Sequence, residues 1–404
     1  MNKKIIWVLN QTAGKPDSGW GERHYFFSKY WIQKGYEVKI ISGSYNHLFL
    51  NQPKISKKTF TVENVEDGIS FCWVKIPMYD GASIFKLWSM LVFAFKLFFL
   101  SSKLIGKPSV IIVSSMPIFQ ILPGIFLKWK YKTSKLIFEI RDLWPLTPIH
   151  LSGYSKFHPI ILGMSWLEKI GYRKADSIVS LLPNAFNYID KISGDTSKSH
   201  WISNGIDASL LVKEEISKEI VAQIPTDKFI IGYSGTMGMA NALEYLIEAS
   251  ILLKNNQNIH FVFVGDGYLK KQFLQATKHN NNITFIDKIS KNQVQQVLQL
   301  FNCCFIGRNN TPLFDYGVSS NKYFDYMLAG KPILESSNRI KSPAELADCS
   351  IQVKPENPKA IVEGIFELLK MNSKELQELG ERGYTYVKKY HNFEYLSTNY
   401  LKLF

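Results

Sequence analysis

Apolar runs of strand length alternate with helical stretches along the whole chain, and this alternation limits the fold more than any other feature. In the first half, the predicted strands are Ile5–Leu9, Glu37–Ser42, Ser109–Ser114, Lys135–Ile140, Ser177–Leu181 and His200–Ile202. In the second half, they are Phe229–Ser234, Ile259–Val264, Ile283–Ile286, Cys303–Ile306 and Pro332–Leu334. A repeated β-α-β order predicts parallel sheets covered by helices. The expected fold class is therefore α/β, with two Rossmann-like, doubly wound domains.

The length of 404 residues also favours two domains, because single cores rarely grow that large. The turn-forming segment Asn204-Gly205-Ile206-Asp207 is the natural joint. We therefore expect a first domain at 1–205 and a second at 206–385. A C-terminal helix at about 386–404 is expected to pack back on the first domain.

The positive charge of the chain lies almost wholly in its first half. Residues 1–205 hold 26 Lys and Arg against 13 Asp and Glu, whereas residues 206–404 hold 22 against 21. Such a basic domain indicates an anionic partner, which could be nucleic acid, an acidic membrane surface or a phosphate-bearing substrate. A generally basic proteome is the alternative explanation.

The four cysteines and the N-terminus favour a protein that stays inside the cell. The spacing of Cys72, Cys303, Cys304 and Cys349 fits neither a zinc site nor a C-x-x-C redox pair. The apolar run Ile5–Leu9 is too short for the core of a signal peptide. We therefore expect a reduced, cytoplasmic protein.

One long apolar segment interrupts the β-α-β order. Residues Ile84–Ile105 predict an amphipathic helix whose lysines and Ser89 share one face, while the remaining face is rich in Leu, Phe and Trp. Such a helix could lie in a membrane interface, pack on the sheet of its domain, or do both. A second cluster, Lys128–Lys135, mixes lysines with aromatic residues, which suits anionic lipid headgroups or a solvated helix end. The predicted membrane contacts are Lys86, Trp88, Phe95, Lys96, Phe99, Lys103, Lys128, Trp129 and Lys130.

Three glycine-containing loops follow predicted strands, where backbone amides can approach a bound phosphate. Their candidate donor-binding residues are Gly19 and Gly21, then Gly235, Thr236 and Gly238, then Gly265, Asp266 and Gly267. The first loop lacks the G-x-G-x-x-G spacing of nicotinamide-binding proteins. Each loop could also be an ordinary turn.

The stretch from Arg308 to Leu334 is the most informative. Ser320 and Asn321 supply polar groups just before a predicted helix, and Lys322 at its start can meet a diphosphate. Asp325 lies one turn further along and could accept hydrogen bonds from ribose hydroxyls. The alternative is a capped helix with a Lys–Asp pair.

Charged residues also follow the predicted strand Lys135–Ile140. Arg141 could hold an anion through two hydrogen bonds, and Asp142 could orient a sugar or an acceptor. An internal Arg–Asp ion pair is the alternative.

These motifs together resemble family-4 retaining glycosyltransferases of the GT-B fold, and more narrowly the fucosaminyltransferase-type (WbuB-like) group of O-antigen and capsule assembly. The resemblance covers nearly the whole chain. Its motifs are Gly21-Glu22-Arg23, Lys34–Val38, Arg141–Pro145, Ala175–Val179, Asn204–Asp207, Val264–Gly267 and Ser320–Pro332.

The resemblance implies a membrane-associated enzyme of the hexosyltransferase type that acts with retention and without metal or cofactor. The two domains would face each other across a cleft. The donor would be a nucleoside-diphosphate sugar, with UDP expected and an amino-deoxy sugar such as FucNAc possible. The acceptor would be a sugar on polyprenyl diphosphate at the anionic inner face of the plasma membrane.

The chain departs from the family pattern at three places. The first glutamate of the E-x7-E motif is Gly317, and the second is Asp325. The Arg and Lys that many members carry after the strand Phe229–Ser234 are absent, so we expect Arg308 and Lys322 to hold the diphosphate charge. Arg141 stands where a histidine is often found. The predicted catalytic residues are Asp142, Arg141 and Lys322.

Other functions fit parts of the pattern. A GT-B epimerase would release altered sugar without a lipid acceptor, and a basic nucleic-acid- or membrane-binding protein would have no activity at all. We expect no nucleic-acid partner, because the basic residues accompany Leu, Phe and Trp on amphipathic stretches. A degenerate, inactive scaffold is the third alternative, because Gly317 replaces a sugar-binding glutamate.

Overall fold

The computed structural model describes residues 4–80, 84–132, 135–207, 214–338 and 341–404. The chain divides into two compact units. The first unit is Met1–Ser203 together with Phe393–Phe404, and the second is Asn204–Asn392. The joint predicted at residue 205 lies two residues beyond the end of this first segment.

The first unit is built on a sheet of buried apolar strands. Its strands are β1 Lys4–Leu9, β2 Tyr36–Gly43, β3 Phe60–Glu66, β4 Ile69–Val74, β5 Pro108–Ser114, β6 Lys135–Ile140, β7 Ser177–Ser180 and β8 Ser199–Trp201. Its helices are α1 Arg23–Gln33, α2 Ile84–Leu97, α3 Ser102–Ile105, α4 Ile121–Tyr131, α5 Leu146–Ser152, α6 Pro159–Lys174 and α7 Phe186–Ser193, with 3-10 helices at Pro16–Ser18, Ile118–Gln120 and Thr196–Lys198.

The strand order in the first sheet is β3-β4-β2-β1-β5-β6-β7-β8. Within the described residues, β3 and β4 pair antiparallel and the other neighbours pair parallel. The central strands are buried on both faces, as parallel strands covered by helices must be. The chain crosses from one side of β1 to the other between β4 and β5, so the carboxyl ends of β1 and β5 border a topological switch point.

The second unit has a smaller, wholly parallel sheet in its described part. Its strands are β9 Phe229–Ser234, β10 Ile259–Val264, β11 Ile283–Ile286, β12 Cys303–Gly307, β13 Ile333–Ser336 and β14 Ser350–Val353. Its helices are α8 Lys218–Val221, α9 Glu244–Leu252, α10 Lys270–Ala276, α11 Lys291–Gln299, α12 Asn321–Leu328, α13 Pro343–Leu346, α14 Pro358–Lys370 and α15 Ser373–Tyr390, with 3-10 helices at Met239–Asn241 and Pro312–Tyr316. The order β11-β10-β9-β12-β13-β14 is that of a dinucleotide-binding sheet, with its switch point between β9 and β12.

The predicted C-terminal helix at about 386–404 differs from the structure in its bounds, because the chain there forms two helices. Helix α15 ends at Tyr390, and helix α16, Phe393–Leu401, follows. Between them, the His391 carbonyl accepts from the Ile206 N–H at 2.8 Å, and Asn392 pairs with Ile206 as in a β-bridge. These bonds require extended backbone and end the helix, after which α16 packs against α1 of the first unit.

The prediction of one continuous helix over Ile84–Ile105 is also wrong. Helix α2 ends at Leu97, and the amides of residues 98–100 bond to carbonyls three residues back, which tightens the chain into a turn. Leu100 is thereby buried, and the Ser101 hydroxyl accepts from the Lys103 N–H to start α3. Within the described residues, no helix has both the length and the apolar composition needed to cross a bilayer.

Candidate functional site

Two basic side chains of the second unit meet at the carboxyl edge of its sheet. Lys322 is the second residue of α12, and Arg308 directly follows β12. Both approach the loop after β9, which is the loop at the switch point between β9 and β12. In open α/β sheets, ligands bind at this position.

The Lys322 side chain reaches across to the loop after β9. Its Nζ donates to Asn241 Oδ1 at 2.8 Å and lies 5.5 Å from the centre of the Tyr233 ring. A side chain at position 235 would collide with it, because a Cβ on Gly235 would lie 2.7 Å from Lys322 Cε. Burial, with a smaller contribution from Arg308, lowers the pKa of Lys322 to about 7. A bound anion would restore its full charge.

The Arg308 guanidinium is buried and has capacity for a further partner. It lies 5.6 Å from the Phe314 ring centre, and Nη1 is 3.5 Å from the Ala240 carbonyl oxygen. Its Nε is buried and has no hydrogen-bond partner within the described residues. Across the described part of the chain, neither Arg308 nor Lys322 forms an ion pair with a carboxylate. Two basic side chains that form no ion pair and meet at a glycine loop can hold a diphosphate.

The buried carboxyl group of Glu335 also belongs to this region, and its role was not predicted from the sequence. Glu335 on β13 accepts hydrogen bonds from the hydroxyls of Tyr323, Ser337 and Ser342 at 2.6, 2.9 and 2.8 Å. The nearby positive charge of Arg308 opposes the effect of burial on the pKa of Tyr323. Burial raises the pKa of Glu335. Its position inside an apolar strand run was the available signal, since a buried charge needs partners.

In the loop after β9, some backbone amides donate hydrogen bonds to other parts of the protein, and others are left for a ligand. The N–H of Gly235 donates to Val264 and that of Met237 to Asp266, at 2.9 and 2.8 Å. The Gly235 amide is therefore already bonded within the protein, and donor contact at Gly235 stays a prediction. The amides of Thr236 and Gly238 make no hydrogen bond within the described residues and stay candidates.

The glycines after β10 allow the loop after β10 to pack closely against the loop after β9. A Cβ on Gly265 would lie 2.1 Å from the Gly235 carbonyl oxygen, and one on Gly267 would lie 2.2 Å from that of Met237. These glycines let the β9 and β10 loops touch backbone to backbone. Asp266 is exposed and accepts from the Gly267 N–H. Direct donor contacts from Gly265, Asp266 and Gly267 stay predictions.

The remaining predicted donor residues lie at the start of α12. Ser320 is the N-terminal cap of α12, and its hydroxyl makes no capping hydrogen bond. Asn321 is exposed, and Asp325 is partly buried one turn along the helix. The preceding loop is fixed by Asn204, whose N–H and Nδ2 donate to Ser319 at 2.8 and 2.7 Å. The ribose role of Asp325 stays a prediction.

The first unit presents two partly buried charges at the carboxyl end of β6. The Arg141 N–H donates to Ser115 Oγ at 3.0 Å, which ties it to the chain after β5. In the described part of the chain, the side chains of Arg141 and Asp142 form no ion pair, so the alternative of an internal Arg–Asp pair is not observed. Burial raises the pKa of Asp142 and lowers that of Arg141, so both charged forms would gain from a polar ligand.

The backbone conformation of the first loop explains why glycine occupies positions 19 and 21. Gly19 and Gly21 have φ of 65° and 80°, the left-handed region in which other residues are strained. A Cβ on Gly21 would lie 2.2 Å from the Thr12 carbonyl oxygen. Their predicted contact with the donor stays a prediction.

The predicted membrane residues lie on a largely apolar surface of the first unit. Helix α2 buries Ser89, whose hydroxyl accepts from Gln11 at 3.2 Å, and turns an apolar stripe outward. The stripe consists of Ile84, Trp88, Leu91 and Phe95 on α2 and of Phe99 in the turn that follows, and Phe95 and Phe99 are each 64% exposed. This spacing of three and four residues marks a single helical face.

The lysines around this stripe differ in their surroundings. Lys96 donates to the Lys75 carbonyl at 2.5 Å, while burial lowers the pKa of Lys86. Lys103 is exposed. Beside the stripe, Trp129 is 71% exposed and Lys130 is exposed too. Lys128 differs, because its ammonium pairs with Asp176 at 2.6 Å and is partly neutralised. Membrane contact by these residues stays a prediction.

Comparison with known proteins gives one match to a protein family. Residues 228–371, within the second unit, match the family described as Glycosyl transferases group 1. No curated protein sequence matches the chain significantly.

Solved structures match over nearly the whole chain at low identity. Sucrose-phosphate synthase from Thermosynechococcus elongatus is 15% identical with a TM-score of 0.75, over 99% of this chain and 98% of that chain. HepE from Anabaena, in complex with UDP and glucose, is 13% identical with a TM-score of 0.68 over the same shares. The alpha,alpha-trehalose 6-phosphate synthase of Burkholderia multivorans is 9% identical with a TM-score of 0.72, also over 99% and 98%.

At such identities the likeness shows the fold. The predicted fold class is confirmed, with mixed α/β structure, two predominantly parallel sheets and GT-B glycosyltransferases as structural neighbours. The expectation that the units face each other across a cleft stays a prediction, as does the narrower WbuB-like assignment. The family match within the second unit and the GT-B fold of the chain together support a glycosyltransferase.

Proposed function

We propose that this protein transfers a sugar from a nucleoside-diphosphate sugar, with UDP the expected nucleotide, to an acceptor on polyprenyl diphosphate at the cytoplasmic membrane surface. The observation that carries the proposal is the meeting of Lys322 and Arg308 on the β9 loop without a carboxylate partner. This arrangement suits a diphosphate, and it occurs within the segment that matches group 1 glycosyl transferases.

In this mechanism, catalysis comes mainly from charge stabilisation on the leaving diphosphate. Lys322, Arg308 and the free amides of Thr236 and Gly238 are already in place before negative charge develops there. These cations would do the work that a metal does in other transferases, so neither metal nor cofactor is expected. Glu335 and Tyr323 would stabilise the charge of Arg308 electrostatically, and Asp325 would hold ribose.

The acceptor side is assigned to the first unit. Arg141 and Asp142 lack internal ion-pair partners in the described residues, and they lie at the carboxyl edge of a parallel sheet. Asp142 would orient the acceptor or the transferred sugar. Reaction with retention, an amino-deoxy donor sugar such as FucNAc, and a role in O-antigen or capsule assembly are parts of the proposal that rest on the sequence resemblance.

The diphosphate site is tested by comparing UDP with uridine in titration calorimetry. Lys322→Met removes one charge-assisted hydrogen bond, worth about 1.5–3 kcal/mol, so UDP should bind about ten- to 150-fold more weakly. Uridine binding should not change, because uridine has no diphosphate. The matched control is Lys331→Met. This lysine is also partly desolvated, but it precedes β13 at the opposite edge of the same sheet. Equal losses for UDP and uridine would contradict the assignment.

Transfer itself is tested with labelled UDP-sugars and membranes that contain polyprenyl-linked sugars. We expect label to enter the lipid extract in the presence of EDTA, with the anomeric configuration retained. An altered sugar released into water would favour the epimerase alternative. Nucleic-acid binding at physiological salt without nucleotide-sugar binding would overturn the proposal.

A further inference from the structure

A groove of about 310 Å³ opens on the surface of the first unit between three helical segments. Its walls include Leu87 and Leu91 of α2, Phe119 and Leu122 around the start of α4, and Gly163 and Trp166 of α6. All of its lining residues are apolar within the described part of the chain. The volume lies at the lower end of the range for ligand sites, about 300–1,000 Å³. The apolar lining favours a hydrocarbon occupant, because a polar group there would lose its hydrogen bonds to water.

The groove continues into the apolar stripe of α2. Leu91 belongs to both, being a groove wall and 40% exposed on the stripe. Trp166 on the opposite wall is 56% exposed, so the groove is bordered by apolar surface on both sides. A hydrocarbon chain can thus enter sideways from a membrane in which the stripe lies, without crossing water.

A short stretch of chain connects the groove to the proposed acceptor site. Phe119 follows Ser115 by four residues, and Ser115 Oγ accepts from the Arg141 N–H. The chain from β5 to α4 therefore links the carboxyl edge of the sheet directly to the groove. A lipid whose polar end is at Arg141 and Asp142 would have its hydrocarbon beside this groove.

Charge decides which occupant fits best. The half of the chain that contains the groove carries twice as many basic as acidic residues, and Lys86 and Lys96 lie on α2 itself. A second copy of this chain would bring the same positive surface and be repelled. An anionic lipid brings the opposite charge together with the hydrocarbon.

We propose that this groove binds the polyprenyl chain of the acceptor lipid and so distinguishes the acceptor from the surrounding phospholipids. The assignment rests on the proposed function, which supplies a polyprenyl diphosphate at this surface. Hydrophobic driving force is small when a chain moves from bilayer to protein, so selection would come from packing against the walls. Branched isoprene units fill an irregular groove lined by Leu, Phe and Trp better than a straight acyl chain does.

Gly163 makes a sharp test possible. It lies within α6, and a Cβ built there meets no atom within 4 Å. A larger side chain would therefore project into open space in the groove, and replacing a helical glycine favours the helix. Gly163→Leu and Gly163→Phe should fill the groove and leave the fold intact. Asn187→Leu adds the same side chain at an exposed position on α7, outside the groove, and is the matched control.

The assay is flotation with phosphatidylcholine vesicles that contain either polyprenyl phosphate or phosphatidylglycerol at equal surface charge. The wild type should prefer the polyprenyl vesicles by about tenfold in affinity. Gly163→Leu and Gly163→Phe should lose that preference and keep the phosphatidylglycerol binding, while Asn187→Leu keeps both. Unchanged melting temperature and UDP affinity would show that the variants are folded and that the donor site is unaffected.

Each contrary outcome overturns the proposal in a different way. A wild type with no polyprenyl preference has no polyprenyl site. If both vesicle types lose binding equally in Gly163→Phe, the groove takes ordinary acyl chains. If Gly163→Phe abolishes self-association in sedimentation, the occupant is a second copy. Because vesicle binding requires no transfer, failure of the proposed enzyme activity is detected separately from failure of the groove.

Discussion

The carboxylate of Glu139 is the charged centre of the first unit, and its removal should unfold that unit far more easily. Glu139 and the side chain of Arg23 are almost wholly buried, and they are joined through Arg23 Nη2 at 3.0 Å and Nε at 3.2 Å. Ser114 Oγ and Tyr400 Oη also donate to the carboxylate, at 2.8 and 3.1 Å. Arg23 holds the pKa of this carboxyl well below its usual range, despite burial.

A histidine completes the network as a neutral donor. His24 Nε2 lies 3.0 Å from Glu139, and its Nδ1 lies 3.1 Å from Asn10 Nδ2. The Asn10 oxygen accepts from Thr12, which leaves the amide nitrogen facing the ring. With Nδ1 accepting, Nε2 carries the proton that is donated to Glu139. Burial lowers the pKa of His24 and keeps the ring neutral.

Glu139→Gln takes the negative charge away from the buried Arg23 guanidinium, which also donates to the carbonyls of Ile202 and Ser203. Removing one partner of a buried ion pair costs about 3–5 kcal/mol, a large part of the roughly 5–15 kcal/mol that stabilises a typical fold. The Tm of the first unit should fall by roughly 6–20 °C, since 1 kcal/mol shifts a unit of this size by about 2–4 °C. Tyr400→Phe removes one neutral donor and should cost about 1 kcal/mol.

Calorimetry and urea unfolding measure both changes. The control is Asp287→Asn, which breaks the ion pair with Lys270 where the carboxylate is 98% exposed, and no measurable change is expected. If Glu139→Gln shifted the transition no more than this control, the buried network would contribute nothing and the reasoning would be refuted.

Two further predictions concern pH. Burial raises the pKa of Glu168 to about 8, although the hydroxyls of Tyr172 and Tyr188 donate to its carboxylate. Between pH 4.5 and 8, the folded state therefore holds a proton that the unfolded state releases. The free energy of unfolding should therefore fall as pH rises through this window, by roughly 3 kcal/mol at pH 7. In urea titrations, Glu168→Gln should flatten this dependence of the free energy on pH. An unchanged dependence would show that another group titrates. Since the pKa of Lys322 is about 7 in the free protein and a bound diphosphate favours its charged form, UDP affinity should fall as pH rises above 7. Calorimetry in buffers of different ionisation enthalpy should detect proton uptake on binding, and Lys322→Arg should abolish it.

The strand pattern and the positions of the ligand loops could be predicted from the sequence. Buried parallel strands are continuous apolar runs such as Ile259–Val264, and such runs are visible without a structure. Strand β3 was missed, because an antiparallel edge strand such as Phe60–Glu66 carries alternating polar residues and lacks that signature. Strand β4, Ile69–Val74, was missed although it is a wholly buried and mostly apolar run. The short strand β14, Ser350–Val353, was missed for the similar reason that it is only partly buried.

Local pattern alone could not orient helix α2. Its lysines and Ser89 form a polar face by sequence, yet the tertiary structure buries Ser89 against Gln11 and exposes the apolar stripe. A helical wheel gives the angular separation of residues, but not which face the sheet will cover. That choice depends on the neighbouring elements.

The sequence by itself determined that this chain alternates strands and helices in two successive halves, and that basic and glycine residues follow strand ends in each. Only the tertiary structure decided that Lys322 reaches Asn241, 81 positions away, and that Tyr400 reaches Glu139, 261 positions away. The physical reason is that periodicity and turn chemistry act over a few residues, whereas strand order and side-chain partners are fixed by packing between segments remote in the chain.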